Sequence, residues 1–285
     1  MATPREIKSR IQSIANTQKI TRTMELVSTA KAKKAVDRVH ASQGFAKKIR
    51  QLVQSLVDIE ANFPLLRQVT KPARAAVLVL TANRGLCGGF NANVLRLAIS
   101  HMQELQQQGV EVEIHLIGKK GVSYFNYRHL PYASKDTSMD DKPTYALASR
   151  YADSFMERFS RREIDEVGII YTHYLSAAHQ KPIYLRVLPI MEEVGEKKDT
   201  NRIYEPSREK ILEELLPKAI RVTFFQAMLE SVAGEHIARR IAMKNATDAA
   251  QEMIRTMTLA YNRARQAKIT QEIAEIVGGA AAIEE

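Results

Sequence analysis

The chain has 285 residues, of which 45% are hydrophobic and 26% are charged, and its formal net charge is +10 at pH 7. This length suits one large domain or two small ones, and the apolar fraction is sufficient for a core. The single cysteine, Cys87, excludes an intramolecular disulfide and favours a reducing compartment. No apolar run approaches the roughly twenty residues that a membrane-spanning helix needs.

A long helix is predicted at the N-terminus. Pro4 suits a first helical position and Thr3 suits an N-cap, and Gly44 is the only glycine or proline from there to Phe63. Seam positions recur with the four-three alternation that is typical of a coiled coil. They are Ile7, Ile11, Ile14, Gln18, Thr21, Glu25, Ser28, Ala32, Ala35, Val39, Ser42, Ala46, Ile49, Val53 and Leu56. The middle of this seam is small and polar, which is poor for a free-standing dimer, so we expect other proteins to pack around it.

The middle of the chain alternates between strand and helix patterns. Strands are predicted at 75–80, 110–117 and 167–174, with 182–189 as a further candidate. Helices are predicted at 92–108, 119–126 and 144–159, and a polar loop at 134–143. This alternation predicts a Rossmann-like α/β domain with a mostly parallel sheet.

A glycine-rich turn follows the first strand. Its residues Arg84-Gly85-Leu86-Cys87-Gly88-Gly89 lie between a predicted strand and a helix N-terminus, a setting that can bind phosphate through backbone N–H groups. The spacing, however, matches neither the dinucleotide-binding motif nor the Walker A motif. We therefore expect no cofactor and favour an exposed turn that contacts a protein, with nucleotide binding as the alternative. The histidines show no metal spacing, and no side chain near Cys87 in sequence indicates a nucleophile.

The last stretch predicts a second, much longer helix. From Leu212 to Ile283, apolar residues recur at helical spacing, no proline follows Pro217, and Gly234 is the only glycine before Gly278. At ~1.5 Å per residue such a helix is on the order of 100 Å long, so it must project from any compact domain and needs a partner.

The predicted fold class is therefore α/β plus a long antiparallel coiled coil made from the two termini. We assign 1–63 to the N-terminal coil helix, 74–195 to the α/β domain and 207–285 to the C-terminal coil helix. An ordinary helical hairpin is the alternative to the long coil.

Positive charge is concentrated on the two terminal helices. The first 50 residues carry twelve lysines and arginines against Glu6, Glu25 and Asp37, and further cations follow in the C-terminal helix. A basic shaft of this kind indicates an acidic partner, although a solvated face is the plainer interpretation of any single run.

Three stretches carry a resemblance to a known family. They are residues 13–28, the turn Arg84–Gly88, and the pair 242–248 with 269–280. On these residues the sequence resembles, over its whole length, the gamma subunit of bacterial F-type ATP synthases. The resemblance implies a non-catalytic central stalk that couples proton flow through the membrane c-ring to ATP synthesis at the beta subunits and regulates their ATPase activity.

The same resemblance implies contacts residue by residue. Met24 and Arg239 would lie near acidic lever loops of beta, and the turn with Cys87 would face beta. Gln266, Thr270 and Glu272 would touch its catalytic loops. Tyr204 and Glu205 match the region that meets the c-ring. Alpha and epsilon subunits are the other implied partners, with no nucleic acid and no direct membrane span.

One residue departs from the family pattern, and two further features of the sequence indicate which members of the family it resembles. Asn83 stands where an acidic residue or serine is frequent, which puts a polar contact there in doubt. A second cysteine is absent, so the dithiol regulation of plastid members is not expected. Because the chain starts directly at the first helix, we expect a bacterial source and a peripheral position on the cytoplasmic face of the inner membrane.

Two rival interpretations belong to other classes of protein. The basic N-terminal helix suits a nucleic-acid-binding coiled coil, but stacking aromatics and a dimer zipper are missing. An α/β enzyme with helical arms is the other rival. Duplex binding in moderate salt would favour the first, and saturable cofactor binding would favour the second.

Overall fold

The computed structural model describes residues 3–56, 63–69, 71–190, 205 and 207–284, with side chains through residue 277. The helices are α1 (Pro4–Leu56), α2 (Phe90–Gln107), α3 (Lys119–Tyr127), α4 (Tyr145–Ser160) and α5 (Arg208–Glu284). The strands are β1 (Arg74–Leu80), β2 (Glu111–Ile117), β3 (Ser134–Asp136), β4 (Glu166–Tyr174) and β5 (Gln180–Leu188). None of the described helices combines the length and the apolar character needed to cross a membrane.

The chain divides into two compact units, which are described separately. One contains Met1–Ser28 with Arg240–Glu285, and the other contains Thr29–Arg239. Both α1 and α5 contribute residues to each unit.

The larger unit is built on a five-stranded sheet in the order β3-β2-β1-β4-β5. Strands β1 to β4 pair in parallel, and β5 lies antiparallel to β4 at one edge. Together with the two long terminal helices, this confirms the predicted fold class of a mostly parallel sheet plus terminal helices. The strand β3 lies within the predicted polar loop at 134–143, so that part of the prediction was wrong.

Both faces of the sheet are buried, as the continuous apolar run of β1 predicted. Val77 and Val79 pack with Val94 and Phe125 of α2 and α3 on one face. On the other face, the alternate β1 residues join the core formed with α4, α1 and α5. That core includes Ala76, Leu78, Leu80, Phe155, Val39, Val53, Phe224 and Met228.

The α1 seam is buried where the four-three alternation placed it within the larger unit. Ala32, Ala35, Val39, Ala46, Ile49, Val53 and Leu56 are all buried. The described part of α1 runs to Leu56, and Phe63, the last residue of the predicted N-terminal segment, has extended backbone. Residues 57–62 lie outside the described part of the chain.

A buried carboxylate joins α5 to the sheet. Glu230 Oε2 lies 2.5 Å from Nδ1 of His173 and accepts a bond from the backbone N–H of Tyr174 at 3.3 Å. The other oxygen of Glu230 accepts from Gln226, which in turn contacts Ser42 of α1. These polar bonds fix α5 to β4 and to α1, because Glu230 and Gln226 are buried and each would lose a partner if its bonds broke.

In the smaller unit, α1 and α5 meet through hydroxyl groups. Thr247 Oγ1 lies 2.9 Å from Thr21 Oγ1 and 2.8 Å from the carbonyl oxygen of Met243. Both threonines are buried, as is Ser28. The seam in this unit is therefore small and polar, as the sequence predicted.

Close approach of backbone segments makes Gly118 irreplaceable in the sheet unit. Its φ is 102°, and a Cβ there would lie 2.1 Å from the carbonyl oxygen of Thr81. We expect Gly118→Ala to lower the free energy of unfolding by about 3 kcal/mol or more, because both the clash and the backbone conformation penalise a side chain. Urea unfolding followed by circular dichroism measures this loss.

Gly109 provides the matched control for that substitution. Its φ is also positive, at 79°, but a Cβ there would meet nothing within 4 Å. Gly109→Ala should therefore cost only the conformational penalty of about 1–2 kcal/mol. Equal losses for the two variants would contradict the close packing of Gly118 on Thr81.

Candidate functional site

The glycine-rich turn between β1 and α2 presents a leucine to solvent. Leu86 and Gly88 both have positive φ, at 63° and 56°. The Leu86 side chain is 60% exposed, whereas that of Cys87 is only 2% exposed. Leu86 is therefore the side chain that the turn offers to a partner, if the turn contacts one as predicted.

The Cys87 side chain is buried within the larger unit. Its Sγ accepts a hydrogen bond from Nδ2 of Asn91 at 3.2 Å and lies 3.9 Å from the carbonyl oxygen of Arg84. Burial raises the pKa of the thiol, although the nearby Arg239 guanidinium opposes this. That the turn contacts beta stays a prediction. The Cys87 thiol itself is buried, and Leu86 is the residue of the turn whose side chain is exposed.

Two asparagines hold the turn in shape. Asn91 Oδ1 accepts the backbone N–H of Ala82 at 2.9 Å. Asn83 donates through Nδ2 to the carbonyl oxygen of Met139 at 2.7 Å and accepts from the N–H of Lys119 at 2.9 Å. Asn83 is the residue that departs from the family pattern. Its hydrogen bonds tie the turn to the 137–143 loop and to α3.

Arg239 anchors the turn to α5. Its Nε donates to the carbonyl oxygen of Gly85 at 3.2 Å, and its Nη2 to Glu235 Oε1 at 2.6 Å. The residue is only 6% exposed. We therefore place Arg239 inside the unit as a support of the turn, and its predicted contact with beta lever loops cannot use a freely exposed guanidinium.

A second set of charges joins α1 to the same place. Lys31 Nζ lies 2.5 Å from Asp141 Oδ2, and Arg38 Nη1 donates to the Asp141 carbonyl oxygen at 3.4 Å. His236 Nε2 lies 3.4 Å from the other Asp141 carboxylate oxygen. We call this group, composed of Lys31, Gly85, Asp141, Glu235, His236 and Arg239, the junction, because it joins α1, the turn, the 137–143 loop and α5.

The pKa values of Glu235, Asp141 and His236 in the junction are shifted in different ways. Burial raises the pKa of Glu235 in spite of Arg239. Burial also disfavours the ionised form of Asp141, but the hydrogen bond from Lys31 and the positive charges around it outweigh this and lower its pKa. Burial lowers the pKa of His236 to about 4, and the cations Arg239, Lys31 and Arg84 add to this effect while Asp141 opposes it.

From the lowered pKa of His236 we expect the folded unit to lose stability in mild acid. The histidine is neutral in the folded unit down to about pH 4, whereas the unfolded chain binds its proton near pH 6.5. Because the unfolded state then holds more protons, stability is complete above pH 6.5 and falls as the pH drops toward 4. The difference corresponds to a loss on the order of 3 kcal/mol.

The measurement is the free energy of unfolding as a function of pH for the full chain and for His236→Gln. We expect the variant to show a shallower decline between pH 6.5 and 4. His101 and His115 titrate in the same sense, since burial lowers the pKa of both, so part of the decline should remain. Superimposable pH profiles would contradict the role given to His236.

The end of α5 exposes a series of apolar side chains. Among the described residues of the smaller unit, Met253, Leu259, Ile269, Ile273, Ile276 and Val277 are all exposed. On α1 of the same unit, Ile20, Leu26 and Val27 are exposed as well. Exposed apolar side chains that recur along both helices of a unit are typical of a protein-interaction surface.

Comparison with known proteins decides which family this arrangement belongs to. The sequence model of the ATP synthase family matches residues 3–283. The ATP synthase gamma chain of Leptospira biflexa is 54% identical over 99% of this chain and 100% of its own length. That of Gemmatimonas aurantiaca is 45% identical, and both chains are covered completely. This chain belongs to the ATP synthase gamma chain family.

Solved structures with the same fold include rotor proteins. A chain of the Euglena gracilis mitochondrial ATP synthase rotor matches with a TM-score of 0.64 at 18% identity, covering 93% of this chain and 98% of its own. A chain of the central stalk and c-ring structure from Tetrahymena thermophila matches with a TM-score of 0.59 at 19% identity, covering 80% of this chain and 99% of its own. At this identity the likeness shows the gamma chain fold.

The contact positions that the gamma family implied fall into three groups. Gln266, Thr270 and Glu272 are exposed on α5, and Met24 is half-buried on α1, all in the smaller unit. Cys87 and Arg239 are buried in the larger unit. Glu205 is exposed, and Tyr204 lies outside the described residues.

Sequence reasoning missed Leu86, Asp141, Glu235 and His236. Leu86 was within the quoted turn, and its exposure depends on the positive φ of a non-glycine residue, which no residue pattern reveals. Asp141 lay in a predicted loop with no periodicity. The ion pair in α5 could have been expected, because Glu235 and Arg239 are four residues apart, the spacing at which helical side chains pair.

Proposed function

We propose that this gamma chain is the rotating central stalk of a proton-translocating F-type ATP synthase. It would couple proton flow through the membrane c-ring to ATP synthesis at the catalytic beta subunits and regulate their ATPase activity. Its membership of the gamma chain family is the observation that carries the proposal.

The exposed apolar end of α5 supports a bearing function. Side chains such as Ile273 and Ile276 are exposed in the isolated chain. Burying them in an apolar sleeve would be favourable by roughly 25 cal/mol per Å² of apolar surface removed from water. A ring of alpha and beta subunits around this end of α5 would provide that sleeve, and contact without specific polar bonds would let the helix turn within it.

The basic surface of α1 supports contact with acidic loops. Lys33 and Lys34 are exposed, as is Arg22, whereas Lys31 is engaged with Asp141. Exposed cations attract acidic loops through many weak, screened interactions of about 0–1 kcal/mol each. Such interactions adjust as the shaft turns, which suits a moving contact with the beta lever loops.

The asymmetric surface of the shaft would transmit energy from rotation to the catalytic sites. If each beta subunit meets a different face of the shaft, the shaft changes the relative free energies of the states at three sites without making a chemical bond. We therefore propose that the gamma chain is non-catalytic and binds no cofactor, with the nucleotide sites on beta. Among the described residues, no group of three or more metal-ligating side chains occurs.

The remaining partners follow from the same proposal. The α/β unit and the region of Tyr204 and Glu205 would meet epsilon and the c-ring at the cytoplasmic face of the bacterial inner membrane. Met24, Gln266, Thr270, Glu272 and the Cys87 turn would meet beta, with Leu86 as the turn's contacting side chain and Arg239 as its support. The domain limits 1–63, 74–195 and 207–285 remain part of this proposal.

A pull-down of the tagged full chain from native membranes tests the assembly. We expect alpha, beta, epsilon and c subunits to be recovered together and to remain bound after a high-salt wash, because the tip contact is apolar. As a matched pair, Ile273→Asn with Ile276→Asn should reduce recovery of alpha and beta, whereas Lys268→Gln on the same exposed helix should not. Recovery of the chain with nucleic acid, or without alpha and beta, would contradict the proposal.

A further inference from the structure

A cavity in the larger unit lies outside every contact considered so far. It opens between the last turns of α1, the end of β5 and the fourth and fifth turns of α5, and its volume is about 230 Å³. A dry cavity of roughly 150 Å³ already holds a benzene-sized molecule, so this one accommodates a ring or a chain of about eight carbons.

The walls of the cavity are mostly apolar. Ile49 and Val53 of α1, Leu185 and Val187 of β5, and Ile220 of α5 contribute them. Ile49, Val53, Val187 and Ile220 also belong to the buried core of the unit. Their packing against other core residues holds the cavity walls in place. A preformed apolar lining with few polar groups is the usual character of a small-molecule site.

The polar groups at the cavity are arranged for an anion. Arg50 and Gln54 lie four residues apart on α1, so they share one face of the helix, and both line the cavity. Within the described part of the chain neither side chain forms a hydrogen bond or an ion pair, although the Arg50 charge acts on the Tyr171 hydroxyl. Arg186 also lines the cavity, but its charge is compensated by Glu166, whose Oε2 lies 3.5 Å from Arg186 Nε.

Arg50 is an exposed cation near the Tyr171 hydroxyl, and it lies beside the Gln54 amide at the mouth of the cavity. A guanidinium and a carboxamide on the same helix face offer several N–H donors, which suit the two oxygens of one carboxylate. A phosphate dianion would need more positive charge than one free arginine supplies. A neutral apolar molecule would leave these donors unused.

We propose that this cavity binds a small apolar monocarboxylate, with Arg50 and Gln54 holding its carboxylate and the apolar walls holding its chain or ring. The inference concerns a site beyond the proposed rotor function. Because the site joins α1, β5 and α5, occupancy would stabilise their packing, and ligand binding should raise the unfolding midpoint of the full chain.

The test is a titration of the purified full chain with sodium octanoate, followed by calorimetry and by the methyl resonances of Val53 and Leu185. We expect one saturable site and shifts of both methyl groups. 1-Octanol, which has the same chain without the carboxylate, should bind about tenfold more weakly, because it forms no charge-assisted hydrogen bond.

Arg50→Met removes the charge and keeps an apolar stem, and it should weaken octanoate binding about tenfold. Lys48→Met removes an exposed charge from the same helix away from the cavity and should leave the affinity unchanged. Arg50→Lys should restore part of the affinity, which separates loss of charge from loss of folding. Absence of saturable binding, equal affinity for octanol, or equal effects of Arg50→Met and Lys48→Met would each overturn the proposal.

Discussion

A disulfide between position 86 and a beta subunit is expected to abolish multi-site ATP hydrolysis. Leu86 is exposed on the glycine-rich turn, whereas the native thiol of Cys87 is buried. The experiment therefore uses Leu86→Cys in a Cys87→Ser background, with a cysteine placed in the acidic lever loop of beta. A rotor must present a new face to each site in every cycle, so a covalent bond to one beta should stop turnover.

The controls for the tether separate a rotor from a static scaffold. Reduction of the disulfide should restore hydrolysis, and Leu86→Cys without the beta cysteine should retain activity under oxidation. Nucleotide should still bind to the tethered complex, because we propose that none of its ligands comes from this chain. Steady-state hydrolysis that continues unimpaired with the crosslink fully formed would rule out a rotor.

Arg239→Met is expected to have the largest effect on stability among the junction residues. The substitution leaves the Glu235 carboxylate buried without its partner and removes the donor to the Gly85 carbonyl. Removing one partner of a buried ion pair costs about 3–5 kcal/mol, since the remaining charge stays uncompensated. In the assembled complex we also expect weaker coupling of hydrolysis to proton pumping, because Arg239 supports the turn that carries Leu86.

Arg240→Met is the matched control for this prediction. Arg240 is the next residue on α5 and is partly exposed, so its loss should cost less than about 1 kcal/mol. Urea unfolding of the full chains gives the two stabilities, and proton pumping per ATP hydrolysed gives the coupling. If both variants were equally stable, the bonds of Arg239 to the turn and to Glu235 could not contribute as described.

The long helices could be predicted because their patterns are local. The four-three alternation of α1 named Val39, Ile49 and Val53, and all three are buried. The continuous apolar run of β1 likewise predicted a strand covered on both faces. In each case the residues themselves carry the periodicity that the packing requires.

The two edge strands of the sheet were harder to predict than the central ones. The strand β3 has only three residues, Ser134–Asp136, without an apolar pattern, and its pairing with β2 makes it a strand. At the other edge, β5 contains Pro182, which a central strand would not tolerate but an edge strand does. The assignment of β3 depends on its neighbour β2 and cannot be read from the segment alone, whereas 182–189 was already a candidate strand and only its place at the sheet edge needed the fold.

The junction could not be predicted because its members are distant in sequence. Lys31 and Asp141 are 110 residues apart, and Gly85 and Arg239 are 154 residues apart. Only the fold brings them together, and the resulting burial makes Arg239 an internal support of the turn, while its contact with beta stays a prediction. The residues that meet beta, epsilon and the c-ring remain predictions, since their partners lie outside the chain.

Direct observation of rotation tests the central claim of a rotating shaft. Leu175, at the β4–β5 turn, is exposed and can be replaced by cysteine in the Cys87→Ser background to carry a gold particle. With the catalytic ring fixed to a surface and ATP supplied, we predict rotation in one direction with three dwells per turn, one for each beta subunit. ATP hydrolysis at a normal rate with a particle that holds a constant angle would contradict the account.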